Sequence, residues 1–127
     1  MSTIKDQLGA YLSKEGLRPE DKPYGFHFNF EDLNYHVFWD ADDPRYLSLT
    51  LPGIFDVDDN NRDDALYAAN HVNDNLKVVK TLVRKDDVWV VAEFLIDQTP
   101  DFADLIPRMM NMLKGARRNF YDTIRNL

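Results

Sequence analysis

The stretch DDALYAANHVNDNLKVVKTLVRKDDVWVVAEFLID, from Asp63 to Asp97, decides the fold. Its first half repeats apolar residues at helical spacing: Ala65, Leu66, Ala68, Ala69, Val72 and Leu76. The period then drops to two, with Val79, Thr81 and Val83 on one side. The run Val88-Trp89-Val90-Val91-Ala92 is β-branched and aromatic, which suits a pleated strand better than a helix. Lys85-Asp86-Asp87 is a polar break of hairpin length. A helix followed by a two-stranded hairpin is therefore expected. With Asp86-Asp87 as the turn, Lys80 falls opposite Glu93, Leu82 opposite Val91 and Arg84 opposite Trp89. The other face then holds Val79–Phe94, Thr81–Ala92 and Val83–Val90.

Working outward, Thr3 with Asp6 three residues on reads as a capped helix start, and Gly16 as its end, giving a helix over Thr3 to Glu15. Leu17 to Pro23, with two prolines, reads as a connector. Tyr24 to Phe30 alternates cleanly, Glu31 to Asn34 turns, and Tyr35 to Trp39 returns, predicting Phe28 opposite Val37 and Phe26 opposite Trp39. His27 then lies beside Phe38, and Asn29 beside His36, on the mixed face. Asp40 to Pro44 is a turn by composition. Tyr46 to Leu51 is a third strand that Pro52-Gly53 stops, and Ile54 to Asn61 reads as a linker. Thr99-Pro100-Asp101 opens a last helix over Phe102 to Arg125, expected to bend near Pro107. The expected fold is α+β, in the order α-β-β-β-α-β-β-α. It has one antiparallel five-stranded sheet and three helices in a single domain over residues 1–127.

That order resembles the YbjN-type family, whose fold is shared with the type III secretion chaperones. The residues that carry the resemblance are the Ala68-Ala69-Asn70-His71-Val72-Asn73 run, with its two asparagines, then Lys80 on the following strand and the long last helix. The Asp86-Asp87 turn departs from the family's Asp-Gly pattern. The resemblance implies a type III secretion chaperone-like fold in a small, acidic, cytoplasmic protein that dimerises and binds segments of other proteins, as a chaperone or a regulator. It brings no catalytic residues with it.

Composition narrows the classes. With 127 residues the chain supports one domain and a real core. Its 15 basic and 22 acidic residues leave a net charge of −7, which disfavours nucleic acid and anionic membrane as partners. It has no cysteine, so disulfides, thiolate metal sites and thiol catalysis are excluded. The N-terminal Met1-Ser2-Thr3-Ile4-Lys5-Asp6 lacks a leader's apolar core, and no apolar run reaches membrane-spanning length, so the cytoplasm is the expected compartment.

Candidate chemistry is sparse. Asp56 to Asn61 begins like a calcium loop, but Asn61 stands where the sixth-place glycine belongs and Tyr67 where the chelating glutamate belongs. A linker whose Asn61 or Asp63 caps the following helix is expected instead. His27 and His36 share a face, yet only Asn29 and Glu93 are available to complete a metal site. None of Ser2, Ser13 and Ser48 sits in a glycine-flanked elbow, and the paired acids Asp42-Asp43, Asp58-Asp59 and Asp86-Asp87 all fall in turns. Asn73 is expected to end the central helix and Asn70 to satisfy a strand or loop backbone group. Met109, Met110 and Met112 could offer an adaptable contact, with helix core the favoured reading.

The strongest candidate is a surface. The mixed sheet face gathers Phe38, Tyr46, Leu82, Trp89, Val91 and Leu95 among His36, Lys80, Arg84 and Glu93. Apolar islands with aromatic and arginine content suit a contact patch. The expected function is a non-enzymatic, cofactor-free, protein- or peptide-binding adaptor, chaperone-like or regulatory and homodimeric. The partner-binding residues are Phe38, Tyr46, Leu82, Arg84, Trp89, Val91 and Leu95, and a partner strand could also add to an open sheet edge. The alternative is a small-molecule or metal-binding domain, or an enzyme, using that same face.

Overall fold

A computed structural model describes residues 3–127, so the readings that involve Met1 and Ser2 lie outside the described residues. Among the described residues run helices α1 (Ile4–Lys14), α2 (Arg62–Asn75) and α3 (Phe102–Arg125). The strands are β1 (Glu20–Lys22), β2 (Gly25–Phe30), β3 (Leu33–Phe38), β4 (Tyr46–Asp56), β5 (Val79–Val83) and β6 (Asp87–Leu95). They form one antiparallel sheet in the order β1-β2-β3-β4-β6-β5. The sheet has six strands, not five. The extra one is β1, three residues inside the stretch read as a connector, too short and too charged to alternate visibly.

Local chemistry explains most boundaries. Thr3 Oγ1 accepts from the Asp6 N–H at 3.0 Å while Thr3 N donates back to Asp6 Oδ2 at 3.2 Å, a complete capping box. At the other end of α1, Gly16 has φ +77°, and Leu17 N bonds Leu12 O at 3.0 Å, the left-handed stop that glycine favours. Asp101 caps α3 through Asp104 N, and Pro107 sits inside a helix that continues unbroken to Arg125.

Both hairpin registers differ from expectation by two residues. In the first, Phe28 faces Tyr35, Phe26 faces Val37 and His27 faces His36. The turn is only Glu31-Asp32, both at positive φ (52° and 65°), the geometry whose twist matches flanking strands. It forms without glycine, and Glu31 is tied to Lys114 at 2.8 Å. In the second, Leu82 faces Trp89 and Val79 faces Ala92, with Lys85-Asp86 as the connection. Arg62 donates to the carbonyls of Arg84 and Lys85, and Val57 N to that of Asp86, so this tip is held from outside. A shift of two preserves which side chains share a face. β4 also runs on through Pro52-Gly53, which produce a register shift between Leu51 and Phe55 and do not end the strand.

The core lies on one face of the sheet. Leu8 and Leu12 of α1, Ala65, Ala68 and Val72 of α2, and Ile106, Met109, Leu113 and Phe120 of α3 pack with Phe28, Tyr35, Val37, Leu47, Leu49, Val90 and Ala92. Leu66, expected in the α2 stripe, is instead 49% exposed. Met109 and Met110 are core, with Met112 packed against it.

Candidate functional site: the open sheet face

The opposite face carries none of that core cluster. One row crosses every strand: Glu20, His27, His36, Thr50, Val91 and Lys80 are successive cross-strand partners. The next row runs Lys22, Gly25, Phe38, Ser48 and Glu93. Tyr46 pairs with Leu95 at one end of β6, and Leu82 with Trp89 towards the other. The alternation therefore brings Phe38, Tyr46, Leu82, Trp89, Val91 and Leu95 onto a single face. Arg84 joins them, its guanidinium 4.5 Å from the Trp89 ring.

These residues differ in how much they offer. Val91 is buried at 7% exposure although it lies outside the helix-packed core, and Ser48 and Thr50 beside it are also buried. Longer neighbours flank these small side chains along each row. Phe38, Tyr46, Leu82 and Trp89 are half-buried, Arg84 is exposed, and Leu95 stands 83% exposed. A polar strap crosses the middle: the Tyr46 hydroxyl donates to Glu93 Oε2, and Lys80 Nζ lies 2.7 Å from Glu93 Oε1. The Lys80 and Tyr46 contacts hold the Glu93 carboxyl below its usual pKa. Burial, reinforced by Glu93, pushes the Tyr46 hydroxyl up. The Lys80–Glu93 and Arg84–Trp89 contacts form diagonally across the shifted register, within reach of long side chains.

The histidines meet more closely than expected. Their rings lie 4.8 Å apart as a direct cross-strand pair. His27 Nδ1 is 3.0 Å from Glu20 Oε1, and its Nε2 is 2.9 Å from Asn34 Oδ1. His36 Nδ1 is 2.7 Å from the Tyr24 hydroxyl. Burial, then the positive charge of His27 and Lys22, lowers the His36 pKa. Hydrogen-bonding to His27 and Lys22 lowers that of Glu20, which is exposed. Among the described residues no three metal-ligating side chains converge. Glu20 and Tyr24 were missed because their placement depends on β1 and on the two-residue register correction. Tyr24 packs on Phe38 at 5.0 Å and extends the aromatic patch.

Away from this face, two assignments change. Asn73 is interior to α2 and bonds the Thr81 backbone through both ends of its amide, the role expected of Asn70, which is exposed. Asn61 occupies the α2 N-cap position without capping it. Its side chain accepts from Asp58 N and donates to the Asp56 carbonyl, while Asp58 Oδ1 accepts from Asn60 N and Asn61 N. The acidic loop is thus closed on itself by hydrogen bonds.

No protein-family model matches the chain. No curated protein matches it either. Solved structures do. YbjN from Escherichia coli, a candidate transcription regulator, superposes with a TM-score of 0.72 at 12% identity, covering 91% of this chain and 92% of that one. An uncharacterised protein from Methanothermobacter thermautotrophicus gives 0.70 at 12% identity, covering 96% of each. The Yersinia pestis type III secretion chaperone SycH, in complex with a stable fragment of YscM2, gives 0.58 at 18% identity, covering 90% and 97%. Identities this low speak for architecture alone. The chain has the YbjN-like, type III secretion chaperone-like fold.

Proposed function

We propose that the open sheet face is a docking surface for another protein, and that this chain is a non-enzymatic, chaperone-like or regulatory adaptor of the cytoplasm. The observation that carries the reading is the one-sided packing: helices cover one face, while the other presents Leu95, Trp89, Leu82, Tyr46 and Phe38 uncovered by them. A set of half-buried aromatic anchors beside an arginine and a polar strap matches the composition of interface centres. That one structural neighbour is a chaperone bound to a protein fragment is in keeping with it.

The face is a better docking element than the edges. β5 is an edge strand, but Asn73 already occupies the N–H and C=O of Thr81 at its middle. β1, the other edge, is three residues long. Natural sheets blunt their edges in these ways, and a partner strand gains little there. A second copy of the chain meeting face to face, forming the homodimer, uses the same residues.

Leu95→Asp, Leu82→Asp and Trp89→Ala test the reading. Each is expected to remove proteins that the unaltered chain retains from native cytoplasm, or to abolish self-association in sedimentation, with circular dichroism and melting essentially unchanged. Retention of the same partners and the same oligomeric state by all three variants would overturn it.

A further inference from the structure

On the helix-covered side, the ends of α1 and β2 meet the middle of α3 around a cleft of about 280 Å³. Leu17, Phe30, Ile106, Pro107 and Met110 wall it. Ile106 and Met110 are buried core residues, while Phe30 is 38% exposed. Pro107 has no amide hydrogen to return to the Ala103 carbonyl, so α3 is less tightly bonded where it borders the cleft. The size sits near the lower end of small-ligand sites, and an apolar wall with few polar rim groups is their usual character.

The rim decides the charge of the occupant. Its cation, Lys114, is already neutralised by Glu31 at 2.8 Å. Its anion, Glu15, pairs with no cation among the described residues, its sequence neighbours Lys14 and Arg18 included. Burial pushes the Tyr11 hydroxyl's pKa up, and the negative charges of Glu15 and Asp101 push it further, so the field at the mouth is negative. Tyr11 also offers ring surface, which attracts cations on its faces, whereas the Phe30 ring already has Lys114 Nζ 6.0 Å from its centroid and serves as apolar wall.

We infer that this cleft binds an amphipathic cation, an aromatic or branched apolar group carrying a protonated amine. The apolar group displaces water from the wall of Ile106, Met110 and Phe30, and the ammonium lies between Glu15 and the Tyr11 ring. The site is on the far side of the sheet from the proposed docking face, and the two stand or fall separately.

Phenethylamine and phenylacetate, which share a ring and differ in charge, are the probes. Binding is read from the methyl carbons of Met110 and Ile106 by NMR titration of the full chain. Phenethylammonium is expected to shift both methyls and to bind about tenfold more tightly than phenylacetate, the scale of one partly screened charge pair. Glu15→Gln, an exposed and conservative change, narrows that gap, and Asn111→Trp at the mouth blocks the amine. Unmoved methyls with the amine, comparable affinity for the two probes, or a gap that survives Glu15→Gln would each overturn the assignment, whether or not Asn111→Trp folds.

Discussion

The side-chain amide of Asn73 and the backbone of Thr81 close a two-bond ring. Oδ1 accepts from the Thr81 N–H at 2.7 Å and Nδ2 donates to the Thr81 carbonyl at 3.2 Å. A helix residue thereby supplies what a seventh strand would have supplied to the middle of β5. Asn73→Ala leaves both backbone groups without these partners and is expected to cost about 2 kcal/mol, measured by urea unfolding. It should also raise the tendency to associate through the freed edge, visible in light scattering.

Gly25 lies at φ +147° opposite Phe38, and a Cβ there would stand 2.1 Å from the Val37 carbonyl oxygen. That neighbour is backbone within the sheet and cannot move without breaking the β2–β3 ladder. Gly25→Ala is expected to destabilise by about 3 kcal/mol or more, on the scale of severe core lesions. A melting temperature within a few degrees of the parent would show that the ladder adapts.

Tyr35 is fully buried, stacked on Phe28 at 5.3 Å, and its hydroxyl has no hydrogen-bond partner among the described residues. Burial pushes its pKa up to about 12. An unpartnered buried hydroxyl opposes folding, so Tyr35→Phe should be neutral or stabilising by about 1 kcal/mol in chemical denaturation. Loss of stability would reveal a bond that the hydroxyl makes.

Acid should weaken the fold through His36. Its folded pKa is lowered, chiefly by burial, so the unfolded chain binds its proton first as pH falls. Stability is then fully present above the ordinary histidine pKa of about 6.5 and declines as pH drops below it. Glu93, also lowered, continues the decline in the carboxylate range. His36→Gln should flatten the upper part of the profile, and melting curves between neutral and mildly acidic pH read the difference.

Faces were legible in the sequence, but registers were not. Alternation in Phe26, Phe28 and Phe30, and in Leu47, Leu49 and Leu51, assigned sides correctly because side chains repeat every two residues. The same periodicity leaves a slip of two invisible, and both hairpins slipped by that amount because neither tight turn, Glu31-Asp32 nor Lys85-Asp86, carries a glycine. β1 lacked any pattern at three residues. Asn73 could not be told from a helix-ending asparagine until β5 was seen to lie at an edge. The α1–α3 cleft had no local signal, since Leu17, Phe30 and Met110 meet only through tertiary packing.

Strand order has a consequence for synthesis on the ribosome. β4, from Tyr46 to Asp56, lies between β3 and β6, and β6 does not begin until Asp87. A growing chain that has made the first four strands thus presents an eleven-residue strand with one flank unsatisfied until α2 and the second hairpin have emerged. Until β6 emerges and pairs with it, that flank of β4 is open to other strands.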